Sequence, residues 1–316
     1  MSATPSIARR AGRGRLRDRR LTPGEYSWIT RAALVSLGAI VVSGAAVRLT
    51  GSGLGCDDWP NCNSEQFVDV STFHSAVEQI NRLFTGAVAV AVIVAALGAR
   101  IRRPPRRDLT LLAYGLVAGV VAQILLGALL IEVELHPISV QGHFLLSMVL
   151  VANAVVLVHR AGRPDGTDTG PDPLPGHRWM LGGATALALA TGTVVTGAGP
   201  HAGDEDVVRL DLAIPAVARI HSISVLAAIA IAAALAMRLQ RRRSSQVAST
   251  VPLLSTWTFV ALLQGVVGYV QYFNDVPELL VGVHVLGATV LWAVTVAVVV
   301  ARPAAGVVDE AHVRTL

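Results

Sequence analysis

Apolar positions along the chain gather into long runs, and polar positions gather into the short stretches between them. The runs lie near 28–48, 73–99, 109–131, 138–159, 178–199, 214–237, 252–273 and 278–300. Each approaches the roughly 20 residues that one membrane crossing needs as a helix. They are too long for barrel strands, and a helix satisfies its own backbone hydrogen bonds in lipid. The pattern predicts an all-α integral membrane protein with eight transmembrane helices. Composition agrees: 53% of residues are hydrophobic and 15% charged, where soluble domains carry about a quarter charged residues.

The polar stretches alternate in charge. All basic residues are arginine: seven precede the first run, five lie in ARIRRPPRRD, three in HRAGRPDGTDTGPDPLPGHR and four in RLQRRRSS. The intervening stretches CDDWPNCNSEQFVD, IEVELHP, GDEDVVRLD and FNDVPE are acidic. A formal charge of +5 therefore reflects membrane orientation beside lipid, and nucleic acid is not an expected partner. The positive-inside rule puts both termini in the cytoplasm and the acidic loops on the outer side of the membrane. The basic N-terminus reads as a cytoplasmic tail leading into a spanning helix rather than a removed signal. The Gly/Pro/Asp-rich stretch Gly162–Gly176 is the best linker in the chain. The expected organisation is a basic tail (1–27), an N-terminal four-helix half (28–160), a linker (161–177), a C-terminal four-helix half (178–300) and a tail (301–316).

The two halves resemble each other. QILLGALLIEVELHPISVQGHFLLSMVL in the first answers QGVVGYVQYFNDVPELLVGVHVLGATVL in the second. Gln123 to His143 and Gln264 to His284 are both twenty residues, Gly127 aligns with Gly268, and Pro137 falls near Pro277. RLTGSG and VVTGAG end the first run of each half. An even number of crossings per half makes the repeats parallel, two similar four-helix bundles related by a pseudo-two-fold axis along the membrane normal.

Three of the nine histidines, His143, His221 and His284, stand about two helical turns inside apolar runs. Ionisable groups at such depth are costly and usually functional. His221 and His284 belong to neighbouring crossings of one half at matching depth, which suits bis-histidine ligation of a b-type heme. The alternative is a histidine bonded to an adjacent helix. Facing His143 in the first half are Asn81, better matched in depth, and His74, nearer the outer end. Glu78, Asn81 and Arg82 share one helix face by their spacing, and a buried acid beside a cofactor pocket suggests a chemical role against a purely structural ion pair. Cys56 and Cys62, in an outward loop with Trp59 and Pro60, can form a disulfide, with two free thiols as the alternative.

At TGSGLGCDDWPNC, HSAVEQINRL, LHPISVQGH, VARIHS and LLVGVHVLGA, the chain resembles the heme A synthase family over roughly residues 25–300. The resemblance implies an enzyme that oxidises a methyl group of heme O to a formyl by successive hydroxylations, with water as oxygen source, for cytochrome oxidase. It implies heme b on His221 and His284, the iron of the substrate heme on His143, a catalytic Glu78 beside Arg82, and the Cys56–Cys62 bridge. It implies heme O synthase as a partner and an electron acceptor of unstated identity, and it allows a homo-oligomer. The chain departs from the family motif Glu-x-x-His-Arg: Asn81 stands where the histidine is expected. Either His143 alone holds the substrate iron, with Asn81 and Arg82 lining the same site and Asn81 holding a water or a pocket hydrogen bond, or His74 swings in. The rival classes are a b-type cytochrome or quinone-linked electron carrier, and a two-repeat transporter.

Overall fold

The computed structural model describes residues 20–166, 174–241 and 250–301. Most of the basic tail, part of the linker and of RLQRRRSS, and the C-terminal tail with His312 lie outside the described residues. The described chain forms α1 (Pro23–Leu49), α2 (Phe73–Ile101), α3 (Arg107–Glu132), α4 (Pro137–Ala161), α5 (Pro175–Ala198), α6 (Ile214–Arg241), α7 (Thr250–Phe273) and α8 (Glu278–Val300). All eight are long and apolar enough to cross a membrane. Among the described residues there is no strand, only an isolated bridge between Leu21 and Arg102.

Local chemistry sets where these helices begin. α1 starts at Pro23 rather than near 28, because Thr22 and Glu25 form a reciprocal capping box and proline suits the first turn. α2 begins with a second capping box, in which Thr72 and Ser75 exchange bonds. That cap sets the first turn of α2, just ahead of Glu78 and Arg82.

α1, α2, α3 and α4 pack each on the next, and α4 returns to α1; α5, α6, α7 and α8 repeat the arrangement. Small residues let the helices approach closely, as helices in lipid require: Ala96, Ala99, Ala113 and Ala154 in one core, Ala228, Ala232 and Ala261 in the other. A third cluster joins the halves, with Val41, Met148, Val151, Val155 and Val296 buried together. There the Trp292 indole donates to the Met148 carbonyl at 2.7 Å. Large apolar side chains such as Val90, Leu125, Leu226 and Val266 are exposed on the outer faces, where lipid replaces water.

The turns entering α4 and α8 are built alike. Glu134 and Leu135 have φ of 48° and 54°, and Asp275 and Val276 have 58° and 56°. Left-handed backbone at consecutive non-glycine residues is uncommon and costs about 1 kcal/mol or more per residue. Each turn closes with the same bond, from the Leu135 amide to the Leu130 carbonyl and from the Val276 amide to the Gln271 carbonyl, both 2.8 Å. Leu135 and Val276 each stand eight residues before His143 and His284.

Buried arginines pin the opposite end. Arg102 pairs with Asp165 at 2.8 Å and bonds the Pro104 carbonyl. Arg178 bonds the carbonyls of Val298 and Ala301 and the Thr250 hydroxyl.

Candidate functional site

In the second half, α6 and α8 carry His221 and His284 to face one another. The ring centroids are 6.4 Å apart and the planes stand at 82°. Two metal–nitrogen bonds of about 2 Å, plus the radius of each ring, separate coaxial imidazoles by about 6 Å between centroids. The observed spacing fits one iron between the rings. His221 Nδ1 lies 3.2 Å from Thr191 Oγ1, which also meets Ser224 Oγ at 2.9 Å. That contact orients the ring in the way outer-shell partners hold metal-ligating histidines. His284 Nδ1 is buried with no partner, an arrangement that calls for an explanation in a folded interior. Glycines make room on both sides: a β-carbon at Gly192 would lie 3.1 Å from His221 Cε1, and one at Gly268 would lie 3.3 Å from His284 Cε1. Gly268→Val should therefore crowd His284 and reduce heme-type absorption of the purified protein severalfold, with its detergent-extracted yield unchanged.

In the first half, α4 carries His143 against Gly127 of α3, where a β-carbon would lie 3.8 Å from Cε1. His143 Nδ1 is also buried without a partner. Gln123 braces the helix there, donating to the His143 carbonyl at 3.0 Å and to Ser147 Oγ at 2.5 Å.

Glu78, Asn81 and Arg82 share a helix but serve different neighbours. Glu78 is 7% exposed. Its Oε2 accepts the Cys56 amide at 2.8 Å, and its Oε1 accepts Arg82 Nη2 at 2.7 Å and Nε at 3.0 Å. Arg82 Nη1 donates onward to the carbonyls of Asp58 and Asn61. The ion pair thus clamps the loop between α1 and α2. Asn81 turns to α1, where its Oδ1 accepts the Ser43 hydroxyl at 2.8 Å. His74 is exposed in the first turn of α2, its Nδ1 3.0 Å from Ser52 Oγ.

The loop itself is closed by a disulfide between Cys56 and Cys62, with Cα atoms 4.4 Å apart and both residues buried. Asn63 Oδ1 caps the turn by accepting the amides of Glu65 and Gln66. Asp69 accepts the Ser71 amide, which holds its carboxyl below the usual carboxylate range. Gly55 lies so close to the His74 carbonyl that a side chain there would collide with the start of α2. Cys56→Ser should leave the amide bond to Glu78 intact yet cost about 2–3 kcal/mol by the loop-closure relation. The check is earlier proteolytic nicking between residues 56 and 72.

Sequence spacing identifies the three deep histidines, the acid–arginine pair and the cysteines. It does not reveal Ser43 as the partner of Asn81, Thr191 as the partner of His221, or the clamp from Arg82 to the loop. The TG dipeptide at Thr191–Gly192 is a signal that could have drawn attention to the first of these rings. Among the described residues no group of three or more His, Cys, Asp or Glu is placed to hold a bare metal ion.

Eight helices long and apolar enough to cross a membrane, with a facing histidine pair inside them, define a polytopic helical membrane protein. The profile of the cytochrome oxidase assembly protein family matches residues 27–72 and 68–296. A heme A synthase of Lysinibacillus sphaericus (strain C3-41) is 30% identical over 131 residues, 41% of this chain and 43% of that protein. A heme A synthase of Listeria welshimeri is 32% identical over 127 residues, 39% of this chain and 41% of that protein. These alignments thus span less than half the length of each relative. The chain belongs to this family, the heme A synthase family.

Proposed function

We propose that the protein is a heme A synthase of the bacterial cell membrane, with a resident heme b in the C-terminal half and heme O as substrate in the N-terminal half. One observation carries this reading: the halves offer unequal ligand sets. His221 and His284 face each other and would saturate an iron from both sides. At the matching place in the first half His143 stands alone, and Asn81 is turned to Ser43. A saturated site retains its heme, whereas a site with one strong ligand can take up and release one. The shared packing order of the halves and their duplicated left-handed turns support the two-repeat reading with an axis along the membrane normal.

A heme bound between His221 and His284 supplies one-electron redox chemistry. Chain residues perform the rest. His143 fixes the substrate by its iron, Gln123 holds α4 in place beneath it, and the disulfide loop excludes bulk water. Glu78 accepts protons lost from the substrate methyl and offsets positive charge that develops there. Two rounds each remove two electrons and two protons and add the oxygen of one water; the resulting gem-diol loses water to give the formyl. Electrons leave to an acceptor outside the chain, and heme O synthase supplies the substrate. The Arg-rich ends and both termini face the cytoplasm, and the disulfide loop faces outward, as the charge pattern requires.

His143→Ala tests the assignment of the halves. It should abolish heme A formation in cells that make heme O, while the purified protein keeps its b-type spectrum. Loss of that spectrum together with the activity would contradict separate sites.

A further inference from the structure

Where the two halves meet, at the end of the bundle that carries the disulfide, the structure gathers hydrogen-bond donors without matching acids. Arg48, in the last turn of α1, donates from Nη2 to the Thr196 carbonyl at 2.9 Å, and its Nε is buried with no partner. Arg209, between α5 and α6, donates from Nη1 to the Gly199 carbonyl at 2.6 Å and is the like-charged neighbour of Arg48. Gln141 of α4 points its amide at the same turn of α5: a β-carbon at Gly197 would lie 2.7 Å from Nε2, which is also buried and unpartnered. Among the described residues neither arginine joins an ion pair.

We propose that Arg48 and Arg209, with Gln141, form a carboxylate site that takes the propionates of the heme seated between His221 and His284. The proposal rests on the reading of that pair as a heme site. Thr196, which Arg48 touches, is one turn of α5 beyond Gly192, the residue against the His221 ring; one turn is about 5–6 Å along the axis. Two neighbouring, half-buried cations are costly without an anion. Propionates are the ionised groups of a porphyrin, and they need cationic or aqueous partners at that depth. A guanidinium pairs with a carboxylate through two parallel bonds, which accounts for a free Nε beside a bonded Nη2. Capping the last carbonyls of α5 accounts for one donor on each arginine, and leaves Arg48 Nε and Gln141 Nε2 unexplained. Arg48 would thereby tie the N-terminal half to the heme of the C-terminal half.

The test is potentiometric titration of the purified holoprotein as wild type, Arg48→Gln, Arg209→Gln and Arg48→Lys. Both glutamine variants should keep the b-type spectrum and favour the ferric state. At the wild-type midpoint the ferrous-to-ferric ratio should drop about tenfold, equivalent to about 59 mV for a one-electron couple. Arg48→Lys should restore most of the shift, because it keeps the charge. The propionate bending bands in resonance Raman spectra should move with the potential in the glutamine variants. Unchanged potentials and unchanged propionate bands in both glutamine variants would show capping alone and overturn the proposal. If Arg48→Gln fails to accumulate, Gln141→Leu is read by the same bands, and no movement there also counts against the site. A wild-type protein without b-type absorption contradicts the heme reading itself, and the propionate site falls with it.

Discussion

His284→Ala should abolish the reduced b-type absorption of the purified protein. His284 and His221 are the facing pair, and their 6.4 Å centroid separation matches that of two imidazoles on one iron. Removing one ring leaves a single axial ligand and a pocket enlarged toward Gly268. α8 itself should persist, since alanine is the best helix former and the helix is anchored elsewhere, by Trp292 on Met148 and by Val296 in the junction cluster. The loss should therefore be spectroscopic and near complete, with little change in protein recovered from membranes. Three controls sharpen it. His221→Ala should match it. His143→Ala should not, and His74→Ala should leave spectrum and activity intact, because His74 is exposed and already engaged by Ser52. An unchanged spectrum in His284→Ala would remove the ligand assignment.

Glu78→Gln should lower heme A formation by about 10²–10⁴-fold, the range for loss of a positioned proton-transfer group, with the b-type spectrum retained. Glutamine preserves the shape and can still accept the Cys56 amide, but it ends the ion pair with Arg82. The structure adds a complication that spacing alone does not suggest: both carboxylate oxygens are already occupied, one by the loop and one by Arg82. Arg82→Gln separates the two roles. If Glu78 acts on the substrate directly, Glu78→Gln should be far more damaging than Arg82→Gln, which loosens the loop but spares the acid. Equal losses would make Glu78 a positioning residue that acts through the disulfide loop. Normal heme A accumulation in Glu78→Gln would remove the carboxylate from the chemistry altogether.

These two experiments probe parts of the molecule that differ in how readable they are from sequence. Membrane spans follow from length and hydrophobicity alone, so α8 runs over the expected 278–300 and α2 and α7 end within two residues of expectation. The start of α1 does not, because Glu25 looks like a tail residue, whereas Thr22 and Glu25 are a cap. The deep histidines are legible because few polar groups enter such runs. Their surroundings depend on helix rotation, which a single sequence does not state. Glu78, Asn81 and Arg82 share a face by spacing, yet in the structure Glu78 and Arg82 meet the loop while Asn81 meets Ser43. The left-handed turns at Glu134–Leu135 and Asp275–Val276 are hidden for another reason: neither contains a glycine that would announce them. The junction of Arg48, Arg209 and Gln141 joins residues up to 161 positions apart (209 − 48) and exists only once the halves pack.

The most direct test of the account is pigment analysis. The chain is expressed with a heme O synthase in a host that makes no heme A, and the extracted hemes are separated and weighed. The account predicts a pigment heavier than heme O by one oxygen and lighter by two hydrogens, formed by the wild type and not by Glu78→Gln or His143→Ala. Recovery of heme O and heme b alone from the wild type, with the b-type spectrum present, would contradict it and leave an electron carrier in its place.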